Sequence, residues 1–105
     1  MEYEVLYTKE ANEDLEEIYN YISLVLYNIK AAKNLVKEIF DSIDLLRTFP
    51  KAHKLCEESR FAKRDIRLFI VNNFKVFYSV KDETEKVVIY RVIYCKRDIS
   101  KIKLI

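Results

Sequence analysis

Three consecutive apolar runs in the second half of the chain place the strongest constraint on its fold. They span residues 65–71, 74–80 and 86–95, and polar turn residues separate them. Each run is short and rich in β-branched and aromatic side chains, which favours strands over helix. A meander is the simplest topology for three such strands. The pattern therefore predicts an antiparallel three-strand meander.

Alternation along these strands predicts two faces, because successive side chains point to opposite sides of a sheet. One face is predicted to carry Ile66, Leu68, Ile70, Val76, Tyr78 and Val80. The other is predicted to carry Arg67, Phe69, Lys75, Phe77, Ser79 and Arg91. Cations interleaved with aromatic rings on an open sheet face can contact phosphates and bases together. The second face is therefore the leading functional candidate, and the alternative is an ordinary solvated face.

The first half of the chain predicts a short strand followed by two amphipathic helices. Residues 2–7 alternate, and Thr8 has the side chain of an N-cap. Apolar residues then recur at steps of three and four across residues 9–49, with Asn28 as the cap of the second helix and Pro50 after its end. Because the connection between the helices is so short, they must form an antiparallel hairpin.

These elements predict an α+β fold, with a single domain over residues 1–105. An N-terminal strand and a mainly antiparallel sheet with a C-terminal meander are packed on one face by the helix hairpin. Residues 51–64 show no regular spacing of apolar side chains, which predicts a loop. Asp98 can cap a short C-terminal helical turn.

Composition excludes several classes of function. The chain has no glycine, which excludes the glycine-rich phosphate cradles of nucleotide-cofactor enzymes. Its two cysteines, Cys56 and Cys95, lie far apart, so we expect free thiols, no metal and no cofactor. Charges interrupt every apolar run, so we expect no membrane association and a cytoplasmic protein.

The formal net charge of only +2 hides an uneven distribution. Carboxylates gather between Glu10 and Glu17, whereas cations dominate residues 51–67 and 96–103. This asymmetry favours an anionic partner for the C-terminal half. The clustered candidates for binding a target or a nucleic acid are Lys63, Arg64, Lys96 and Arg97. His53, the only histidine, titrates in the range of acid–base chemistry, but its place in a loop favours an incidental role.

The order of these elements resembles the RelE/ParE superfamily, the toxins of type II toxin–antitoxin modules. The resemblance covers nearly the whole chain and rests on segments 3–8, 14–22, 46–50, 74–80 and 89–98. It implies a hetero-oligomer with a cognate antitoxin, whose partly disordered segment folds onto the toxin. Candidates for that contact are Leu24, Tyr27, Ile29, Leu104 and Ile105. The alternative is that these side chains only complete the core.

The resemblance leaves three activities open. The ParE branch poisons DNA gyrase by binding, and segments 14–22 and 89–98 favour this branch. The other branch cleaves messenger RNA on the ribosome without a metal, and its catalytic candidates here are Lys75, Arg97, Arg67 and Arg91. The tyrosine that such ribonucleases often carry near the end is replaced by Lys103. The third possibility is an inactive member that only binds its antitoxin.

Overall fold

Four strands form one mixed sheet in the computed structural model, which describes residues 2–98 and 101–103. The strands are β1 (Glu4–Tyr7), β2 (Ile66–Val71), β3 (Phe74–Lys81) and β4 (Lys86–Tyr94). Their order across the sheet is β1-β4-β3-β2. The pairs β2–β3 and β3–β4 are antiparallel, which confirms the predicted meander, and β1 pairs with β4 in parallel.

Two helices form the predicted hairpin between β1 and β2. Helix α1 spans Lys9–Asn20 and continues as a π-helical segment over Tyr21–Val25. Helix α2 spans Ile29–Asp44 and ends in a 3-10 turn over Leu45–Arg47. None of the helices in the described part of the chain is long and apolar enough to cross a membrane.

Both predicted N-caps are confirmed. The Thr8 hydroxyl accepts from the Ala11 N–H at 3.0 Å, and the Asn28 side chain accepts from the Ala31 N–H at 2.9 Å. Each cap accepts a hydrogen bond from an N–H group that the first helical turn leaves without a partner. Such a cap contributes about 1 kcal/mol to the stability of the helix. The starting points of both helices are therefore specified locally.

The hairpin packs on one face of the sheet and forms the larger core. Its apolar stripe meets the side chains of all four strands, and Phe69 and Tyr78 pack edge to face with ring centroids 5.8 Å apart. The buried members of this core are Val5, Ala11, Leu15, Ile18, Ile39, Ile43, Leu46, Phe69, Val71, Val76, Tyr78, Val87, Ile89 and Val92. Burying side chains of this size drives the association of helices and sheet.

The predicted division of the meander into two faces is wrong, because the register of β2 against β3 differs by one residue from the one assumed. Phe69 lies opposite Val76, and Leu68 lies opposite Phe77. Directly paired residues point to the same side of a sheet. Arg67 and Phe69 therefore share the hairpin-covered face with Val76, Tyr78 and Val80, whereas Ile66, Leu68 and Ile70 share the other face with Lys75, Phe77 and Ser79.

The register follows from the tight turn between β2 and β3. Val71 and Phe74 pair directly across the two turn residues, and Asn72 adopts φ 55°. Asparagine tolerates this left-handed conformation, which two-residue hairpins need. Alternation along each strand leaves the register open, so the turn geometry decides which side chains meet.

The second face of the sheet is a covered core and not an open surface. Residues 51–64, predicted as a loop, contain the short helix α3 (Ser59–Ala62), and Cys56 and Phe61 of this segment cover the second face. The C-terminal segment adds Ile102, which is buried. The buried members of this second core are Cys56, Phe61, Ile66, Phe77, Tyr90, Ile93 and Ile102. Phe61 packs edge to face on Phe77 at 5.7 Å, so these rings serve packing.

Candidate functional site

The cations predicted for the second face do not form an array. Arg67 Nη1 donates to the carbonyl oxygen of His53 at 2.7 Å. Arg91 binds a carboxylate of α1, Asp14. Lys75 lies half-buried on β3, opposite Ile93 of β4. Two of the three strand cations therefore stabilise the fold through internal acceptors.

The Asp14–Arg91 pair joins α1, β4 and the C-terminal segment. Arg91 Nε and Nη2 donate to the two carboxylate oxygens of Asp14 at 2.7 and 2.9 Å, and the Val92 N–H donates to the same carboxylate at 3.0 Å. Arg91 Nη1 donates to the carbonyl oxygen of Lys103 at 3.0 Å. The hydrogen bond to Asp14 raises the pKa of Arg91. This bidentate geometry is the strong form of a carboxylate–guanidinium contact.

A β-bulge brings Arg91 to this position. Phe77 lies opposite Arg91 and Tyr78 lies opposite Ile89, so Tyr90 is the extra residue of β4. A bulge of this kind re-aims the neighbouring side chains. Asp14 itself is only 6% exposed, although the sequence groups it with the other carboxylates between Glu10 and Glu17. Asp14 lies three residues after Ala11 and four residues before Ile18. This helical spacing from two apolar residues was the sequence signal that could have indicated its burial.

An open groove lies between the helix hairpin and the end of the sheet. Its volume is about 840 Å³, and α1, the π-helical segment, α2, the β2–β3 turn and β4 all contribute to it. Its apolar lining includes Ile18, Tyr21, Leu26, Leu35, Phe74 and Tyr94. Glu17 lines it from α1, and Arg97 lines it from the segment after β4. Asp14 lines it as well, so the groove combines an apolar floor with two carboxylates and one guanidinium.

The closed end of the hairpin exposes the apolar side chains that were candidates for an antitoxin contact. Leu24, Tyr27 and Ile29 are 66%, 89% and 57% exposed. The alternative that these three complete the core is therefore wrong. Tyr27 also adopts φ 53°, which a residue with this bulk rarely does. The other two candidates, Leu104 and Ile105, lie outside the described residues.

The remaining candidate cations lie at the surface on two neighbouring segments. Lys63 and Arg64 directly follow α3, and Lys96 and Arg97 follow β4; all four are exposed. The segments come close where Arg60 Nη2 donates to the carbonyl oxygen of Ile102 at 3.2 Å. Tertiary contact thus brings α3 to the C-terminal segment, and the role of these cations in binding stays a prediction.

His53 packs against the sheet although it lies in a connecting segment. Its ring stacks on Phe69 with centroids 4.4 Å apart and an interplanar angle of 14°, and it meets Tyr78 edge to face. Burial lowers the pKa of His53 from its ordinary value of 6.5. The imidazole is therefore a neutral packing group at physiological pH.

We expect His53 to make the stability of the protein depend on pH. Because the folded state disfavours the protonated ring, the unfolded chain binds the extra proton first as the pH falls below 6.5. Stability is thus fully present above that pH and decreases as the pH approaches the lowered pKa of the folded state. Urea midpoints at about pH 7.5 and about pH 5.5 measure this loss. His53→Phe keeps a ring on Phe69 and should reduce the difference; an unchanged difference contradicts the assignment.

The described residues offer no evident metal centre. Within residues 2–98 and 101–103 no group of three or more His, Cys, Asp or Glu side chains comes together as metal ligands would. Cys56 is buried and Cys95 is half-buried, and both are free thiols. The candidate site is therefore a pair of surfaces, the groove and the hairpin end, together with the exposed cations.

Comparisons with known proteins give one family and a set of similar folds. The family model described as ParE toxin of type II toxin–antitoxin system, parDE, matches residues 5–99. No curated protein sequence matches the chain. Among solved structures, the chromosomal ParDE toxin–antitoxin system from P. aeruginosa superposes with a TM-score of 0.73 at 20% identity, covering 90% of this chain and 97% of that one.

Two further solved structures share the fold. The toxin–antitoxin complex RelBE2 from Mycobacterium tuberculosis has a TM-score of 0.59 at 19% identity and covers 90% of this chain and 99% of its own. A mutant of the E. coli toxin RelE in the free state has a TM-score of 0.64 at 14% identity, covering 91% and 86%. At these identities the likeness concerns the fold.

Proposed function

Because the chain belongs to the ParE toxin family of type II toxin–antitoxin systems, we propose that it arrests growth by binding and poisoning DNA gyrase. The family match over residues 5–99 is the observation that carries this proposal. The sequence resemblance to the ParE branch in segments 14–22 and 89–98 points to the same target. Poisoning by binding requires a surface and no catalytic residues.

The state of the candidate catalytic cations supports binding over cleavage. A ribonuclease needs groups that move protons and cations that meet the charge developing on phosphorus. Arg67 and Arg91 are instead engaged by a backbone carbonyl and by a carboxylate. Arg97 is exposed beside the groove, and Lys75 lies half-buried on β3. Cleavage of messenger RNA on the ribosome is the competing activity that the experiment below must separate from gyrase poisoning.

We also propose that the groove and the hairpin end bind the cognate antitoxin. Two of the three similar solved structures are a toxin–antitoxin system, ParDE, and a toxin–antitoxin complex, RelBE2. The groove offers a concave apolar surface of the kind that receives an amphipathic helix of a partner. Leu24, Tyr27 and Ile29 extend this apolar surface beyond the groove. Covering them would remove an exposed patch that a lone chain leaves in water.

Purified protein in gyrase and translation assays tests the proposed target. We expect the wild-type chain to inhibit supercoiling or to trap cleaved DNA, and to leave messages on translating ribosomes uncut. Lys63→Glu/Arg64→Glu and Lys96→Glu/Arg97→Glu should each weaken inhibition about tenfold or more, because reversed charges oppose an anionic target.

Lys54→Glu/Lys81→Glu is the matched control, since both lysines are exposed and lie outside the groove and the two cation clusters. It should inhibit gyrase as the wild type does. Inhibition that is absent at saturating protein, together with cuts in the ribosomal A site, would replace the proposal with the ribonuclease activity.

A further inference from the structure

The closed end of the hairpin has an unusual charge composition. No carboxylate occurs between Glu17 and Glu38, whereas Lys30, Lys33 and Lys37 all lie in this stretch. Lys37 pairs with Asp41 at 2.7 Å. Lys30 and Lys33 are exposed on α2 and have no ion pair among the described residues. This end of the hairpin therefore carries two exposed positive charges that no carboxylate of the described residues pairs with.

The same end carries a continuous apolar surface. Its exposed large side chains are Tyr21, Leu24, Val25, Leu26, Tyr27 and Ile29. The π-helical segment and the left-handed backbone of Tyr27 shape this turn. π-Helical segments and left-handed non-glycine residues both occur frequently at functional sites. The left-handed backbone also stores strain that the surrounding structure must compensate. Monomeric proteins rarely leave such a patch uncovered.

We propose that the hairpin end selects an acidic, amphipathic helical segment of a partner protein. Apolar side chains of that segment cover Leu24, Tyr27 and Ile29, and its carboxylates meet Lys30 and Lys33. The two lysines are three residues apart and share one face of α2, so carboxylates one helical turn apart on the partner can reach both. The identification of this partner with the antitoxin rests on the proposed function, whereas its chemistry follows from the surface.

The shape of the surface favours a protein segment over a lipid bilayer. Tyr21 and Leu26 belong both to the exposed patch and to the lining of the groove. The apolar surface therefore continues from the convex hairpin end into a concave groove, which a helix can follow and a flat bilayer cannot. Glu17 and Arg97 of the groove lie farther along the same path. The partner segment should therefore carry carboxylates where it meets the hairpin end, and charges of both signs where it lies in the groove.

Two labelled peptides that differ only in charge test this proposal. Each has about 20 residues with leucines at the same heptad positions, and the flanking positions are all glutamate in one and all lysine in the other. We expect the glutamate peptide to bind wild-type protein at least about tenfold more tightly at low ionic strength. This preference should shrink at high salt, because exposed charges are screened. Fluorescence anisotropy gives both affinities.

Charge reversal on the protein should reverse the preference. Lys30→Glu/Lys33→Glu should favour the lysine peptide, whereas Lys54→Glu/Lys81→Glu should retain the preference for glutamate. Leu24→Ser/Tyr27→Ser removes only exposed apolar area, so this variant should fold normally. Its affinity for the glutamate peptide should be about tenfold lower than that of the wild type.

Equal binding of the two peptides, binding of neither, or a preference that survives Lys30→Glu/Lys33→Glu would overturn the proposal. Vesicles rich in phosphatidylglycerol form a third arm, and binding to them without binding to the glutamate peptide would also overturn it. Growth arrest on expression is scored separately. A protein that prefers the glutamate peptide but arrests neither growth nor gyrase would refute the proposed function and leave this surface assignment standing.

Discussion

Asp14→Ala is expected to lower the free energy of unfolding by about 3–5 kcal/mol, because it leaves a mostly buried guanidinium without its partner. The Arg91 side chain is only 13% exposed, and the Val92 N–H loses its acceptor as well. A loss of this size is a large fraction of the stability of a small domain. Urea denaturation followed by circular dichroism measures it.

A double replacement separates the charge from the packing. Asp14→Leu/Arg91→Met removes both members of the pair, and most of the loss should be recovered because no uncompensated charge remains. The Val92 N–H still lacks an acceptor, so recovery should be incomplete. As a surface control, Asp41→Ala removes an exposed carboxylate that pairs with Lys37 and should cost less than about 1 kcal/mol. Equal costs for Asp14→Ala and Asp41→Ala would show that the buried pair contributes nothing special.

Phe77→Ala should destabilise the protein by about 3–5 kcal/mol, since its ring is fully buried in the second core. Truncation leaves a cavity beneath α3, where Phe61 loses its edge-to-face contact. Alternation along the strand predicts Phe77 on an open functional face, from which truncation would cost little stability. Thermal or urea unfolding of the variant thus distinguishes a core from a surface.

Ile70→Ala is the matched control for this variant. Ile70 lies on the same face of the neighbouring strand but is 59% exposed. Its truncation should change stability by less than about 1 kcal/mol. If Phe77→Ala were as mild as Ile70→Ala, the second core would not exist as described.

The role of Arg91 in the fold also affects how activity data must be interpreted. Arg91 binds Asp14 of α1 and the Lys103 carbonyl, so its replacement disturbs both α1 and the C-terminal segment. A loss of growth arrest in Arg91→Ala therefore carries no information about catalysis. Arg97 is exposed at the groove and is the better probe of the ribonuclease alternative.

The local features of this fold were predictable because they depend on neighbouring residues. Thr8 and Asn28 occur where helices must begin, and the periods of three to four and of two residues identify helices and strands. The exposure of Leu24, Tyr27 and Ile29 was one of two open alternatives. Periodicity reports an apolar side of a helix but not whether another element covers it.

What the sequence determined by itself was the order of the strands and the two long helices, the helix caps and the meander, since each follows from interactions within a few residues. The register of β2 on β3 depends on a local feature as well, the two-residue turn at Asn72, which the alternation of the strands does not report. Only the tertiary structure decided the bulge that aims Arg91 at Asp14 and the cover that α3 and Ile102 place over the second face. The physical reason is that alternation shows which side chains share a face of a strand but not what packs against that face. Such choices depend on contacts between residues far apart in the chain, as the sequence separation of 77 residues from Asp14 to Arg91 illustrates.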